Sequence, residues 1–486
     1  MIPARPSLLA LAALMTATPL AAQLPRTEQM QPNNAVLSHR QEDPLIQERI
    51  RERFETLLPE LMRREGFDMW LVITREYNSD PVFRSMAPIT TYSSRRRTIL
   101  MFHDLGPGRG VERLSIGRSD YQGVFDVYRT HNDSQYVNLG RLVAERDPQR
   151  IGINVSDRWN HADGLTHNEY LRLEHALGPK YAGRLASAEM LVVGWLESKL
   201  ARETDQYRSV MRIAHQVIAE AFSNQVIVPG VTTNRDVVWW MRQRVAELGL
   251  GAWFHPSVNV QRRGGLPPAG PNGTVIERGD MLHTDFGIIG VGFSTDTQHN
   301  AYVLLPGETE APEGLREGLQ RANRLQDLTM MHGPAGATGN EALAGALAQA
   351  QTEGLDATIY CHPIGYHGHG AGPPIGMTDY QTGVPVRGDY VLRPNTWHSI
   401  ELNVRFAVPE WDGQEVRFAL EEDAAVLDDG WDWIDGRQTS FYLIHLGGGS
   451  DEASSGLDTN GGGIPAAIGL AVRMTSEARL RRAPQL

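Results

Sequence analysis

The segment HTDFGIIGVGFSTD, residues 283–296, decides the fold around the candidate site and carries its first two acidic residues. Strand-like stretches, DMLHTDF and FSTDTQHNAYVL, enclose three glycines. This pattern predicts a β-hairpin that turns near Gly290 and Val291 and places Asp285 opposite Asp296. Because cross-strand partners have Cβ atoms about 5 Å apart, the two carboxylates are placed to share a pair of metal ions.

Three more side chains of metal-ligating type follow in separate segments. They are His362 in CHPIGYHGHG, Glu401 in WHSIELNV and Glu421 in FALEEDAAVLDDG. With the two aspartates they give four carboxylates and one imidazole, a hard and mostly oxygen ligand set. Such a set can hold two divalent cations and activate a water molecule between them. The sequence therefore predicts a dinuclear metallohydrolase.

The two glutamates also have simpler explanations. Glu401 lies between apolar residues of a predicted strand, where a buried charge needs a partner, and a salt bridge to Arg405 would supply one. Glu421 begins an acidic run with Glu422 and Asp423, which is also typical of a solvated strand end. The order and spacing of all five residues, rather than any single one, favour a metal site.

A glycine-rich loop carries three histidines, His362, His367 and His369, within eight positions. Such a loop is a poor sequence for a helix or a packed strand, which favours a functional role. One imidazole can supply a nitrogen ligand, and a second can contact substrate or move a proton. The neighbouring Cys361 is the only cysteine. It fits a small buried residue better than a thiolate ligand, and it allows no internal disulfide.

Composition and charge exclude several classes of protein. Among the 486 residues 41% are apolar and 21% are charged, as in ordinary globular domains. The net charge of -12 argues against nucleic acid or an anionic membrane surface as a partner. Residues 1–22 combine Arg5, a short apolar run and small residues ending at Ala22, which predicts a secretory signal peptide. A membrane anchor is the alternative, but the run is short for a bilayer. We therefore expect an exported, periplasmic protein without a stable anchor.

Periodicity predicts two domains after the signal peptide. Residues 23–43 are polar and predict a flexible lead-in, and an amphipathic helix is expected from Pro44. Alternating strands and helices then fill a domain at 44–195. A linker-like stretch, LESKLARETD, leads into a long helix and a second domain at 196–445. The Gly- and Ser-rich segment 446–486 predicts a flexible tail.

In combination, these motifs resemble metallopeptidase family M24, which includes methionine aminopeptidases, Xaa-Pro aminopeptidases, prolidases and creatinases. The two aspartates match its D-x-G and second Asp pair, and HPIGYHGH (362–369) matches its H-x-I-G-x-x-x-H segment. LRPNTWHSIE (392–401) resembles its L-x-P-G-M-x-x-x-I-E strand. Glu421 stands at the position of the glutamate in the family's closing strand, so it is preferred to Glu422 as the ligand.

The resemblance implies an α/β (α+β) fold, with an N-terminal creatinase-like α/β domain followed by a C-terminal pita-bread metallopeptidase domain. It also implies a metal-dependent aminopeptidase, a hydrolase with a peptide substrate, two divalent metal ions and a homodimeric state. Manganese is the expected metal, with cobalt, zinc or iron as alternatives. A two-domain, exported chain resembles the Xaa-Pro aminopeptidase and prolidase branch more than the minimal methionine aminopeptidases.

The resemblance also implies a role for each candidate residue. The implied metal ligands are Asp285, Asp296, His362, Glu401 and Glu421. Of these, Asp296 and Glu421 would bridge both ions. A metal-bound hydroxide would attack the scissile carbonyl. Glu401 would pass the proton towards the leaving amine, and His369 would contact the substrate near the scissile bond. His367 and His255 are further candidates for substrate contact.

Three positions depart from the family pattern. Pro267-Pro268 stands where the family has a Pro-His pair, so a substrate-side histidine is missing and His255 is a substitute from a nearby loop. His299 replaces an arginine, and Leu402 replaces a proline. These changes bear on proline specificity more than on hydrolysis. A related hydrolase of dipeptides or of a non-peptide amide, and a catalytically silent binding module, are the alternatives.

Overall fold

The computed structural model describes residues 36–129, 134–267 and 269–445. The predicted signal peptide, Pro268 and the predicted tail lie outside these residues. Contacts between Cα atoms divide the chain into units at 1–447 and 448–486, and all described residues belong to the first. This division does not separate the two expected domains, so their boundary stays a prediction. Within the described ranges, the search for a helix with the length and apolarity of a membrane span finds none.

The first part of the chain forms a six-stranded mixed sheet. Its strands are β1 (Met69–Arg75), β2 (Arg97–Asp104), β3 (Val111–Gly117), β4 (Asp126–Arg129), β5 (Ile151–Ile153) and β6 (Leu185–Ser187). They lie in the order β4-β3-β2-β1-β5-β6. All residues of β1 except the last, Arg75, are buried, because this strand runs in the middle of the sheet, antiparallel to β2 and parallel to β5. Its apolar sequence matches this position.

Helices cover this sheet, and the first of them corrects the predicted lead-in. α1 begins at His39, inside the segment expected to be irregular, because Ser38 and Gln41 cap it reciprocally. Pro44 is accommodated inside this helix, and a π-helical turn, Arg53–Leu57, continues it. The helices are α1 (His39–Glu52), α2 (Leu58–Arg64), α3 (Gln135–Arg146), α4 (His167–Ala182) and α5 (Glu189–Glu197).

The second part places two helix pairs over antiparallel strands. The helices are α6 (Ala201–Ala221), α7 (Asn234–Glu247), α8 (Glu313–His332) and α9 (Gly339–Thr352). The strands are β7 (Ser257–Gln261), β8 (Met281–Phe286), β9 (Ile289–Gly290), β10 (Phe293–Ser294), β11 (Thr297–Val303), β12 (Asp356–Ile359), β13 (His362–Pro363), β14 (Thr396–Ser399), β15 (Leu402–Val408), β16 (Gln414–Leu420), β17 (Asp423–Leu427), β18 (Gly430–Trp433) and β19 (Tyr442–Ile444). α6 and α7 contact β8 and β7, whereas α8 and α9 contact β15 and β12.

The strands of this part form sheets in the orders β19-β11-β8-β7, β12-β15-β16 and β13-β14-β17-β18. A bridge between Gln298 and Glu421 connects the first sheet to the end of β16. Their backbone N–H groups and carbonyls exchange hydrogen bonds of 3.1 and 3.2 Å. The candidate ligands therefore come from strands that meet along one junction, with the helices on the outside.

The hairpin of the opening segment is present, but its register differs from the prediction. Its two-residue turn is Val291-Gly292, where both residues have positive φ, and Gly290 pairs with Phe293. This turn lies one residue further along than expected, so the partner of Asp285 shifts by two residues, to Gln298. Side chains of a strand alternate between its two faces. A shift of two residues therefore keeps Asp285, Asp296 and Gln298 on the same face.

A buried ion pair connects the two parts of the chain. Arg53 Nη1 lies 2.9 Å from Oε2 of Glu203 in α6, and both side chains are fully buried. The hydroxyl of Tyr366, in the histidine loop, donates to the other oxygen of Glu203 at 2.9 Å. The predicted linker is short, since α5 ends at Glu197 and α6 begins at Ala201. The first helical segment, α6 and the histidine loop therefore share one polar cluster in the core.

Candidate metal centre

The structure brings all five predicted ligands into one cluster. Nε2 of His362 lies 3.3 Å from Oε1 of Glu421, 3.5 Å from Oδ2 of Asp296 and 4.0 Å from Oε2 of Glu401. The ligand atoms of Asp296, His362 and Glu421 all lie within 4.8 Å of one another. Asp285 joins the cluster electrostatically, since its carboxyl interacts with those of Asp296 and Glu421.

Neighbouring polar groups fix the orientation of these side chains. Nδ1 of His362 lies 3.0 Å from the carbonyl of Pro363, so a proton there leaves Nε2 free to face the carboxylates. Nε2 of Gln298 donates to Glu401 at 2.5 Å and to Glu421 at 2.9 Å. The hydroxyl of Ser399 donates to Glu421 at 2.7 Å. The cluster is therefore preorganised by partners that are not ligand candidates themselves.

Burial and mutual repulsion raise the pKa values of the clustered carboxyls. Burial, followed by the charge of Glu421, raises the pKa of Asp285 to about 7. The same two causes raise the pKa of Asp296 and of Glu401 well above their usual range. Burial lowers the pKa of His362, but its hydrogen bonds with Asp296 and Glu421 outweigh this and raise it. The protein alone thus leaves this cluster with too much negative charge.

This donor set fits divalent cations. Oδ1 of Asp285 is buried without a hydrogen-bond partner, and an unpaired buried carboxylate oxygen is costly. Four carboxylates with one imidazole are ligands that hard or borderline divalent ions accept. The negative charge of four clustered carboxylates is also larger than one imidazolium or one shared proton can neutralise. The five residues could therefore hold two such ions.

A second buried cluster lies on the opposite side of the strand. The carboxylate of Glu422 contacts Nε2 of His215 at 2.9 Å and also Nε2 of His299. Although burial alone would lower it, the charges of Glu422 and Asp435 raise the pKa of His215 to about 10. Burial lowers the pKa of His299. One protonated and one neutral imidazole thus satisfy Glu422, which leaves Glu421 as the glutamate that faces the cluster.

The predicted substrate-side histidines have different surroundings. The ring of His369 is exposed and lies 4.8 Å from the ring of His362. His367 lies 4.8 Å from the ring of His161, and burial lowers its pKa to about 3. His255 is exposed and contacts Trp239 and Arg242; none of its hydrogen bonds or ring contacts reaches the five ligand candidates in the described ranges. The structure therefore places His369, but not His255, at the cluster.

An open cavity of about 440 Å³ adjoins the cluster. Asp285, Gln298 and Glu401 form one end of it, and polar side chains continue its walls. The other lining residues are Ser257, Asn259, His283, Thr358, Tyr360, Thr378, Asn403, Arg405 and Arg417. Burial lowers the pKa of His283 to about 4, so this wall residue is neutral near pH 7. The cavity is polar and large enough for a small peptide.

Sequence reasoning missed several residues that surround the site. Gln298 carried a usable signal, since it lies two positions after Asp296 on the same strand and must share its face. Tyr360 and Arg417 carried none, because they reach the cavity from strands whose register the sequence does not reveal. His161 comes from the first part of the chain, and its Nε2 lies 2.9 Å from the carbonyl oxygen of His369. Cys361 is buried, as predicted.

Comparisons with known proteins agree with this geometry. The model of metallopeptidase family M24 matches residues 205–428, which include all five ligand candidates. An uncharacterized peptidase of Bacillus subtilis (strain 168), YqhT, is 24% identical over 257 residues, covering 51% of this chain and 67% of the relative.

Solved structures share the fold over most of the chain. The X-Pro aminopeptidase of Thermotoga maritima MSB8 superposes with a TM-score of 0.58 at 17% identity, covering 79% of this chain and all of that chain (100%). An Xaa-Pro dipeptidase from Bacillus anthracis gives 0.53 at 20% identity, covering 83% of this chain and 99% of that one. These likenesses confirm the expected α/β fold with an N-terminal domain before a pita-bread domain. Residues 205–428, just under half of the chain, match metallopeptidase family M24, and the rest of the described fold is similar to that of these two solved structures.

Proposed function

We propose that this protein is an exported, dinuclear-metal-dependent aminopeptidase, of Xaa-Pro type, that hydrolyses the N-terminal peptide bond of short peptides. The observation that carries this proposal is the cluster of Asp285, Asp296, His362, Glu401 and Glu421 at one end of an open polar cavity. Two relatives in fold are named as an X-Pro aminopeptidase and an Xaa-Pro dipeptidase. They support the choice of substrate class for this chain.

The side chains divide the work of hydrolysis. Divalent ions bound here would polarise the scissile carbonyl and lower the pKa of a water molecule. Gln298 holds Oε1 of Glu401 at 2.5 Å, so Oε2 is the oxygen that can take a proton and pass it to the leaving amine. His362 keeps Nε2 towards the carboxylates. His369 is exposed beside His362 and can donate a hydrogen bond to the peptide.

The proposal extends to the metal, location and assembly of the protein. Manganese is the proposed ion, because oxygen ligands dominate the set, and cobalt, zinc and iron remain alternatives. The proposed periplasmic location rests on the features of residues 1–22, and the proposed homodimer rests on the family resemblance. Elemental analysis, cell fractionation and light scattering test these three points separately.

A peptide panel tests the activity. The mature protein, from about Gln23, is incubated with Xaa-Pro-containing peptides and with matched peptides that have alanine in place of proline. Manganese, cobalt or zinc is added, beside the variant Glu401→Ala. We expect metal-dependent release of the N-terminal residue that is lost in the variant. Equal release from the alanine peptides would reject the Xaa-Pro preference, and no release with any ion, despite two bound ions, would reject the peptidase.

A further inference from the structure

Arg417 is the charged group of the cavity that has no carboxylate partner. It is half-buried in β16, and its side-chain hydrogen bond runs from Nη2 to the hydroxyl of Tyr360 at 2.7 Å. In the part of the chain that the structure describes, no Asp or Glu oxygen lies within 4.0 Å of its guanidinium. Arg262, close by, binds Asp280 with both Nε and Nη2 at 2.6 Å. Its charge acts on the carboxyl of Asp285 across the cavity without contacting it, so the guanidinium can still bind a ligand directly.

The hydroxyl of Tyr360 provides a second donor beside this arginine. It accepts hydrogen bonds from Arg417 and, at 3.1 Å, from Nδ2 of Asn403. Both lone pairs of this oxygen are then used, and its own proton points to neither partner. Two donors that converge on one volume, a guanidinium and a phenol, match the two oxygens of a carboxylate.

The pairing of strands gives an independent reason to expect an anion here. Arg417 lies directly opposite Arg405 across the β15–β16 pair, and like charges in that position destabilise a sheet. Arg405 is compensated by Glu415, at 2.8 Å. The second positive charge of the pair has no such partner. A bound anion would remove this unfavourable interaction.

The position of Arg417 limits what the anion can be. It precedes Glu421 by four residues on extended backbone, so their Cα atoms are about 13 Å apart. A peptide of two or three residues spans at most about 7–11 Å, and the long side chain of Arg417 covers the remainder. Asn259, His283 and Asn403 line the same cavity as Arg417, so its walls offer hydrogen bonds rather than an apolar surface.

We propose that Arg417 and Tyr360 form a carboxylate subsite, which selects peptides with a carboxylate two or three residues from the metal centre. This inference rests on the proposed peptidase function and names its substrate class. The carboxylate is either the free C-terminus of a di- or tripeptide or the side chain of an Asp or Glu residue close to the scissile bond. Matched substrates distinguish these two sources.

The test compares peptide pairs that differ only in one charge. One pair has a free C-terminal carboxylate or an amide, and the other has Glu or Gln next to the scissile bond. We expect kcat/KM of the wild type to favour one or both acids by roughly 10- to 100-fold, as one charge-assisted hydrogen-bonding site provides. Arg417→Gln should reduce that ratio to near one, mainly through a rise in KM for the acid peptide.

One further variant tests the second donor of the subsite, and another is a matched control at a distant arginine. Tyr360→Phe removes the hydroxyl that donates to the ligand and accepts from Arg417 and Asn403, and should reduce the preference by roughly 3- to 10-fold. Arg263→Gln makes the same change as in Arg417 at an exposed arginine paired with Asp412, and should keep the wild-type ratio. Equal turnover of acid and neutral peptides by the wild type would overturn the subsite while leaving the peptidase intact.

Failure of the peptidase itself gives a different result. If no peptide is cleaved with any ion, calorimetry measures binding of the same acid and amide peptides to wild type and to Arg417→Gln. Tighter binding of the acid, lost in the variant, would support the subsite without the catalysis. Equal affinities of the two peptides for the wild type would overturn the subsite as well.

Discussion

Glu421 and Glu422 are consecutive in the extended segment that joins β16 to β17, yet their carboxylates lie on opposite sides of it. Glu421 lies 3.3 Å from Nε2 of His362 in the candidate metal centre. Glu422 lies 2.9 Å from Nε2 of His215, in a buried cluster behind it. Neighbouring residues of a strand point to opposite faces, so one face carries the proposed chemistry and the other carries packing.

Exchanging each of these glutamates for glutamine should therefore give different defects. Glu421→Gln should lower bound metal and reduce activity by about 1,000-fold or more, because it removes a proposed bridging ligand. Glu422→Gln should leave the protonated His215 with Asp435 as its remaining carboxylate and lower the free energy of unfolding by about 3 kcal/mol. Elemental analysis and denaturant unfolding of both variants measure these effects. If Glu422→Gln lost metal and Glu421→Gln kept it, Glu422 rather than Glu421 would be the metal ligand.

Gln298 is expected to set the rate without holding the metal. Gln298→Leu should retain the bound ions but lower kcat by roughly 10- to 100-fold, because Glu401 loses the amide that orients it. Gln243→Leu, on the exposed side of α7, is the matched control and should not change kcat. Steady-state kinetics together with metal content separate the two roles. A loss of metal equal to the loss of kcat would show that Gln298 acts through binding instead.

Metal removal should make stability depend on pH in a particular direction. In the metal-free protein the pKa of Asp285 is raised from 3.8 to about 7, so its stabilising contribution is complete below pH 3.8 and is lost as pH rises through 7. Between pH 5 and 7 this one group should lower the free energy of unfolding by about 2 kcal/mol. The difference in unfolding free energy between loaded and chelated protein should therefore grow with pH. A constant difference over this range would contradict the crowded, uncompensated cluster.

His161 should influence the site from the first part of the chain. His161→Ala removes the group 2.9 Å from the carbonyl oxygen of His369. We expect kcat/KM to fall roughly 3- to 10-fold, as for the loss of one hydrogen bond, because the histidine loop is held less firmly. His175→Ala, at an exposed position of α4, serves as the control. An unchanged kcat/KM in His161→Ala would show that the loop keeps its position without this contact.

The ligand set was predictable from the sequence because each ligand lies in a short motif. Local patterns also predicted the hairpin and the helical pair α8 and α9. The hairpin register was wrong by two residues, since the sequence GIIGVGF allows turns at adjacent positions. Its two positive-φ residues, Val291 and Gly292, decide the register. Both registers keep Asp285 and Asp296 on one face, so their meeting in one cluster does not depend on the register, and their role as ligands stays a prediction.

The walls of the cavity could not be predicted in the same way. Arg417 and Tyr360 meet through the pairing of β12 with β15 and of β15 with β16. Such pairings join residues far apart in the chain, and no local pattern records them. The early start of α1 was missed for the opposite reason, because Pro44 was given more weight than the reciprocal capping of Ser38 and Gln41.

The ion pair of Arg53 and Glu203 has a consequence for how this chain can change over time. Because both charges are fully buried, loss of Glu203 leaves Arg53 without a carboxylate partner, and loss of Arg53 leaves Glu203 with Arg49, at 3.8 Å, as its remaining ion pair. The penalty also reaches the histidine loop through Tyr366. Substitutions at these two positions must therefore occur together or be accompanied by an apolar replacement of both. The N-terminal part therefore stabilises the loop beside the candidate metal centre. A variant that lost this part during evolution would need new core contacts for Glu203 and Tyr366.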